Sequence, residues 1–161
     1  MDAKSRKRIY AKLRERIRKT TPKVNAKLHK RTTQLLYEKE SYLIQGAFFE
    51  VYKRLRNNYK ESVIHNALFQ ELNARGLKVE KNKAIVVLYR GQKVGTYIPD
   101  LVVNDAILIE IKCKPFLHKE DIKQFWYYLK GSDYKVGYLV NFGKPDGVEF
   151  IRRVYDTARK V

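Results

Sequence analysis

The feature that most constrains the fold is a series of short runs rich in Val, Ile, Leu and Tyr, a composition typical of β-strands. Three runs follow one another in the middle of the chain and two more lie near its carboxyl end: Ala84 to Arg90, Lys93 to Val103, Ala106 to Lys112, Lys135 to Phe142 and Val148 to Tyr155. Gly91-Gln92 predicts a tight hairpin turn between the first two runs, since glycine accepts a positive φ. The sequence therefore predicts a β-sheet.

Apolar residues at helical spacing predict three amphipathic helices around these strands. The first covers roughly residues 33–55 and ends at Asn57-Asn58. The second begins near Glu61 and ends before Gly76, which suits a left-handed helix terminator. The third covers about Lys119 to Lys130, before the last two strands. The predicted order is α-α-β-β-β-α-β-β, an α/β fold in which helices flank a mixed sheet.

Positive charge is concentrated at the amino end of the chain. Residues 1–31 hold 13 Lys or Arg and two acidic residues, so this segment contributes +11 to a net charge of +18. Within it, Ile9, Leu13 and Ile17 recur every four residues, which predicts a marginal basic helix. We therefore divide the sequence into a basic arm, residues 1–31, and a domain, residues 32–161.

The excess of positive charge indicates a polyanionic partner, with nucleic acid first and an acidic membrane surface second. Arg14 and Arg18, both in the arm, are candidate phosphate contacts that would act by counterion release. The alternative is a solvated tail, because a charge run alone carries no information about a groove or a base.

The remaining composition excludes several classes of protein. A single cysteine, Cys113, excludes an internal disulfide framework and a four-thiolate zinc site. No apolar run approaches the roughly 18 residues of a membrane span. The first 20 residues have no signal-peptide apolar core, so we expect a soluble, cytoplasmic protein.

The candidate chemistry lies in the second and third strand-like runs. Glu110 and Lys112 are two residues apart on a strand, so their side chains share a face. Asp100 lies ten residues before Glu110. A two-residue turn at Asn104-Asp105 would direct Asp100 away from Glu110, whereas a three-residue turn over 104–106 places the two opposite each other. We predict the three-residue connection.

Two carboxylates this close repel each other unless a proton or a cation lies between them. Oxygen ligands select a hard cation such as Mg²⁺, which takes one or two carboxylates together with waters and phosphate oxygens. Lys112 is a candidate for holding an attacking water or for countering charge on phosphorus. The alternative is a carboxylate–lysine cluster that only neutralises itself.

This arrangement resembles the PD-(D/E)xK nuclease superfamily, in which Pro99-Asp100 would pair with Glu110-Ile111-Lys112. Four other segments, in the same order along the chain, resemble the GxxExxY group of small predicted nucleases: Gly46 to Tyr52, Glu61 to Leu68, Gln124 to Leu129 and Val140 to Gly143. The resemblance covers about residues 42–155. In the motif that gives the group its name, Asn58 stands in place of the glycine and Ile64 in place of the tyrosine.

The resemblance implies a restriction-endonuclease-like core and metal-dependent hydrolysis of phosphodiester bonds in nucleic acid, with DNA as the first expectation. Asp100 and Glu110 would bind Mg²⁺ or Mn²⁺, and the Ile111 carbonyl and Glu61 would be further ligands. Lys112 would position or stabilise the nucleophilic water.

The same resemblance assigns supporting roles to two residues of the third helix. Gln124 would support the site, and Tyr128 lies one turn along the same face. Four basic residues near Glu61 are predicted to touch phosphates, with ordinary solvation as the competing account: Lys53, Arg54, Arg56 and Lys60. The roles of Glu50 and His65 stay open, although a solvent-facing or helix-pairing role suits Glu50 better than one in orienting the site.

Three function classes remain open. The first is a divalent-metal nuclease, and the second is a nuclease-fold protein that binds nucleic acid without cutting it. The third is association with a membrane surface through the arm. Related enzymes that act on junctions are symmetric dimers, so a homodimer is also open, but the sequence identifies no dimer face.

Overall fold

The computed structural model describes residues 35–156. The helices of this part are α1 (Glu38–Leu55), α2 (Glu61–Ala74) and α3 (Lys119–Lys130). Its strands are β1 (Val79–Lys81), β2 (Ile85–Tyr89), β3 (Gln92–Tyr97), β4 (Leu101–Val103), β5 (Ile107–Lys112), β6 (Val136–Asn141) and β7 (Glu149–Val154). The predicted mixed α/β fold is confirmed, with seven strands in place of five.

The basic arm, including Arg14 and Arg18, lies outside the described residues. Its predicted helix and its phosphate contacts therefore stay predictions. Within residues 35–156, no helix is both long enough and apolar enough to cross a membrane.

Five strands form the main sheet in the order β1-β4-β5-β6-β7, and β2 and β3 form a separate hairpin. β5 and β6 are parallel, whereas the other neighbours in the main sheet are antiparallel. Parallel neighbours require a crossover connection, and α3 supplies it. The sheet is therefore mixed, as the sequence predicts.

The run predicted as one strand from Lys93 to Val103 is in fact two strands in two sheets. β3 ends at Tyr97 and β4 begins at Leu101. Pro99, between them, has no N–H to donate to a strand ladder, so the pairing breaks there. The break lets the chain leave the hairpin and enter the main sheet immediately after Asp100.

Three further boundaries differ from the sequence prediction. The hairpin turn is Arg90-Gly91, one residue earlier than predicted, because both residues have a positive φ and Tyr89 pairs with Gln92. α1 begins at Glu38 rather than near residue 33, since Tyr37 adopts a left-handed conformation. β1 was missed because three residues are too few to show a strand period.

The end of α2 agrees with its prediction. Gly76 has a φ of 80°, and its N–H donates to the Asn73 carbonyl at 2.9 Å. Leu77 closes the turn by donating to the Leu72 carbonyl at 3.2 Å. These bonds satisfy carbonyls at the helix end that would otherwise lack partners.

The main sheet is covered on both faces. On one face, α1 and α2 pack against alternate residues of β4 and β5, all of them fully buried: Leu101, Val103, Ile107, Ile109 and Ile111. On the other face, Val102 and Leu108 pack with Leu129 of α3 and with Tyr97. Because side chains alternate along a strand, Glu110 and Lys112 share this second face with Leu108.

Candidate active site

The connection between β4 and β5 has the predicted three residues. Val103 pairs with Ile107, and the Ala106 N–H donates to the Val103 carbonyl at 3.0 Å. Asn104 and Asp105 fill the turn with φ values of 51° and 52°, a conformation these residue types tolerate better than most. Continued by one step beyond Leu101, this register sets Asp100 opposite Glu110.

Asp100 is tied to the backbone of β5 and to two neighbouring elements. Its Oδ2 accepts a hydrogen bond of 2.7 Å from the Ile111 N–H. Its carbonyl oxygen accepts from the Asn82 N–H at 3.2 Å and lies 3.0 Å from His65 Nε2 in α2. Asp100 is therefore held beside Ile111, the residue that follows Glu110.

Glu110 has a partner on each oxygen. Oε1 accepts a hydrogen bond of 2.8 Å from Lys112 Nζ, and Oε2 accepts one of 3.0 Å from the Tyr97 hydroxyl. The Glu110 and Lys112 side chains are each only 19% exposed. The pair is thus accessible from solvent but largely enclosed.

Burial raises the pKa of both carboxyl groups above the ordinary range. For Asp100, the Ile111 N–H and the Lys112 charge oppose this rise, and the charge of Glu61 adds to it. For Glu110, the hydrogen bond from Lys112 opposes the rise, and the charge of Asp100 adds to it. In both groups the effect of burial exceeds that of the hydrogen bonds and the Lys112 charge, so a further positive charge nearby would stabilise the ionised form.

The pKa of Lys112 lies above its usual value. Burial on its own would lower it, but the hydrogen bond and the charge of Glu110 outweigh burial. Glu61, in the first turn of α2, raises the pKa of Lys112 further. Lys112 is therefore a permanent cation at neutral pH, positioned beside two carboxylates.

This donor set fits a hard divalent cation. Asp100 and Glu110 supply carboxylate oxygens in a partly desolvated setting, where a second positive charge would relieve their repulsion. Mg²⁺ is commonly bound by one or two carboxylates together with waters and substrate phosphates. Within residues 35–156, no group of three or more His, Cys, Asp or Glu side chains converges as a ready-made metal cage. Glu61 itself is exposed at the amino end of α2.

A chain of side-chain contacts links α3 to Glu110. Gln124 Nε2 donates to the Tyr128 hydroxyl at 3.3 Å. The Tyr128 ring stacks on Tyr97 with centroids 4.0 Å apart and planes 11° apart, and Tyr97 in turn donates to Glu110. Gln124 and Tyr128 are thus connected to Glu110 through Tyr97.

Sequence reasoning missed Tyr97 as a site residue. Burial raises the pKa of its hydroxyl well above the usual range, so it remains a donor to Glu110. The feature of the sequence that could have identified Tyr97 was its position at the end of a strand-like run, three residues before Asp100. His65 borders the site through the Asp100 carbonyl, and its signal was its place one turn after Glu61.

The basic residues at the end of α1 are partly committed to local contacts. Arg54 Nε donates to Glu50 at 2.6 Å, which confirms a helix-pairing role for Glu50. Hydrogen bonding to Arg54 holds the pKa of Glu50 below its usual value. The Arg56 guanidinium lies 5.9 Å from the centroid of the Tyr52 ring. Lys53 and Lys60 are exposed.

Cys113 directly follows the lysine but lacks the properties of a nucleophile. Its side chain is half-buried, and burial raises the pKa of the thiol to about 11. The thiol is therefore protonated at neutral pH. The surroundings of Cys113 therefore suit a packed residue rather than a nucleophile.

The carboxyl end of β5 is clamped to β6 by a buried amide. Asn141 Oδ1 accepts hydrogen bonds from the Lys114 N–H at 2.9 Å and the Gly143 N–H at 3.1 Å. Its Nδ2 donates to the Lys114 carbonyl at 2.9 Å. The clamp fixes the backbone two residues after Lys112, which limits how far that side chain can shift.

The sequence matches the PD-(D/E)XK nuclease superfamily over residues 38–154, which is most of the chain and all of its β-sheet. The chain belongs to this superfamily. Its members generally use divalent metals and act on nucleic acids. The match is at the level of the superfamily, so the closer resemblance to the GxxExxY group stays a prediction.

Among solved structures, the chain is similar to an alkaline exonuclease (LHK-Exo) from Laribacter hongkongensis. The two share 19% sequence identity over 60% of this chain and 57% of that chain, with a TM-score of 0.38. The chain therefore spans little more than half the length of that protein. A search of curated proteins gives no match.

Replacing Tyr97 with phenylalanine is expected to lower nuclease activity about tenfold without unfolding the protein. The variant keeps the stacked ring but removes the hydroxyl donor from Glu110, which we propose below as a metal ligand, and loss of a group that orients such a ligand typically costs ~10–100-fold. Initial rates of DNA cleavage would measure the change. Tyr42→Phe, on an exposed side chain of α1, is the matched control. A wild-type rate in Tyr97→Phe would show that the hydroxyl does not position Glu110 for catalysis.

Proposed function

We propose that this protein is a divalent-metal-dependent nuclease that hydrolyses phosphodiester bonds in DNA. The observation that carries the proposal is the register of β4 and β5, in which Asp100 lies opposite Glu110 and close to Lys112. A one-residue slip would have sent Asp100 to the opposite face. Membership of the superfamily supports the same reading of these three residues.

Asp100 and Glu110 would hold the metal ion, with the Ile111 carbonyl and Glu61 as further ligands. Such an ion, when bound, lowers the pKa of a water and neutralises charge on a phosphoryl oxygen. Lys112 lies beside both carboxylates and would hold the attacking water or counter the charge that develops on the phosphate. Asp100 is kept in place by the Ile111 N–H, and Glu110 by Tyr97.

Substrate contacts are proposed on two surfaces near this site and, separately, on the arm. Gln124 and Tyr128 lie on the flank of α3 that reaches Glu110 through Tyr97. The basic cluster at the end of α1 carries exposed cations next to the start of α2. The arm, residues 1–31, would add affinity by neutralising phosphates, because it carries +11 of the net charge.

A second candidate function is a nuclease-fold protein that binds nucleic acid without cutting it. The observation in its favour is the 2.8 Å ion pair between Lys112 and Glu110, in which two of the three charged groups already satisfy each other. Such pairs also occur where no chemistry takes place. The distinction therefore depends on whether the site turns over substrate.

The test is to incubate the full chain with end-labelled DNA in Mg²⁺, in Mn²⁺, and in excess chelator. We expect cleavage with either metal and none with the chelator, with activity restored when metal is added back. Parallel reactions with single-stranded DNA, duplex DNA and RNA would define the substrate. Binding without cleavage under every metal condition would favour the inactive binding protein.

A further inference from the structure

A second candidate site lies on α3, on the flank that faces away from Gln124 and Tyr128. An open cleft of about 500 Å³ is lined by three cationic and two apolar side chains: Lys119, Ile122, Lys123, Trp126 and Arg153. Among residues 35–156, no acidic side chain lines it. A cleft of mixed aromatic and cationic lining is suited to a ligand with both a flat ring and a negative charge.

Helix geometry separates this cleft from the catalytic flank. Gln124 and Tyr128 are four residues apart and occupy one side of α3. At about 100° per residue, Lys119, Lys123 and Trp126 point to the opposite side. The buried face, with Phe125 and Leu129, runs between the two flanks against the sheet. A ligand in the cleft would therefore not touch the carboxylates directly.

Trp126, one of the residues that line the cleft, has two neighbours that restrict its ring. It meets Tyr155 edge-to-face, with ring centroids 5.8 Å apart and planes 87° apart. Lys130 Nζ lies 5.7 Å from the centroid of the Trp126 ring and 5.5 Å from that of Tyr127. Tyr127 is exposed, and Lys123 Nζ lies 5.9 Å from the centroid of its ring. Aromatic rings and cations are therefore close neighbours on the solvent-facing side of α3.

We propose that this cleft binds single-stranded nucleic acid outside the catalytic site, with a base stacked on Trp126 and phosphates held by Lys119, Lys123 and Arg153. The inference rests on the proposed function, since it names a second contact for the same class of substrate. Interleaved aromatic and basic side chains are the usual means of holding single strands without sequence preference. An unpaired base can enter the cleft and reach the indole, whereas a base in a duplex is stacked between its neighbours.

The test uses the intrinsic fluorescence of Trp126, which is the only tryptophan in the sequence. A short oligothymidylate is titrated into the full chain in excess chelator, so that no cleavage occurs. We expect the fluorescence to be quenched as the base stacks. Affinity for a labelled oligothymidylate, measured by anisotropy, should fall about tenfold in Trp126→Ala, the loss typical of one stacked base. Trp126→Phe, which keeps a ring, should retain most of the affinity.

The charge contribution is tested with exposed lysines, whose replacement leaves the core intact. Lys123→Gln should weaken binding and reduce the slope of log affinity against log salt by about 0.7, the value for one phosphate contact of a single strand. Lys39→Gln, an exposed lysine in the first turn of α1, is the matched control and should leave the slope unchanged.

The outcomes separate this inference from the proposed nuclease activity. Unchanged affinity in both Trp126→Ala and Lys123→Gln, with metal-dependent cleavage intact, would overturn the cleft proposal and leave the nuclease standing. Quenching by oligothymidylate without cleavage in any metal would retain the cleft and overturn the nuclease. Equal quenching by polyglutamate would assign the cleft to an acidic protein segment and overturn its assignment to nucleic acid.

Discussion

Replacing Lys112 with alanine is expected to reduce the rate of DNA cleavage by about 10²–10³-fold, which is the typical cost of removing a group that stabilises developing charge. Lys112 is held beside Glu110 at 2.8 Å, and it faces the same surface as Asp100. The lysine is proposed to act in the reaction, and it is not among the residues of the apolar core. Affinity for DNA in chelator should therefore stay close to that of the wild-type protein.

Two measurements decide whether the loss is specific. Circular dichroism and thermal unfolding should show a folded Lys112→Ala protein, because Lys112 is the last residue of β5 and its side chain lies outside the apolar core. Lys112→Arg keeps the charge but changes its geometry, so it should recover only part of the rate. If Lys112→Ala cleaves DNA as fast as the wild-type protein, the activity comes from another site or from a contaminant, and the proposed role of Lys112 is wrong.

The relative positions of Asp100, Glu110 and Lys112 could be predicted because they depend on local rules of strand geometry. Alternation along a strand places Glu110 and Lys112 on one face, and the number of turn residues fixes whether Asp100 joins them. The sequence offered two turn lengths, and only one of them brought the carboxylates together. Burial of Ile109 and Ile111 on the opposite face explains why the register is strongly specified.

Most of the features that were missed leave no periodic pattern in the sequence. No periodic pattern marks the separation of β3 from β4, because the residues on both sides of Pro99 have strand-like composition. The stacking of Tyr97 on Tyr128 joins residues 31 positions apart, which no local pattern encodes. The cleft beside Trp126 likewise needs Arg153 from β7 to complete it.

The separation of β3 from β4 and the stacking of Tyr97 on Tyr128 have a common consequence for function. Because β3 belongs to the separate hairpin and ends at Tyr97, that tyrosine approaches Glu110 from outside the strand ladder of the main sheet rather than from within it. The hairpin of β2 and β3 is thereby anchored to Glu110. The helix α3 is joined to the hairpin because Tyr128 stacks on Tyr97. The second face of the sheet is therefore organised around Glu110, whereas the first face is an ordinary apolar core.

Replacing Gly143 with alanine is expected to destabilise the protein by about 2–3 kcal/mol, in the range found when a well-packed site is overfilled. A Cβ at this position would overlap the backbone of Lys114, which cannot move aside as a flexible side chain can. The Gly143 N–H also donates to Asn141, the residue that clamps the end of β5. For a domain of this size, the midpoint of thermal unfolding should fall by roughly 5–10 °C.

Gly95→Ala is the matched control, because nothing lies within 4 Å of a Cβ built there and its φ is not in the left-handed region. Its unfolding midpoint should differ little from that of the wild-type protein.

The rate of cleavage is a second readout for Gly143→Ala. Relief of the overlap in this variant requires the backbone at Lys114 to move, and Lys112 lies two residues away. Cleavage by the folded fraction should therefore fall as well. If Gly143→Ala unfolds at the wild-type temperature and cleaves at the wild-type rate, then the contact between Gly143 and Lys114 does not fix the end of β5. The position of Lys112 would in that case depend on its ion pair with Glu110.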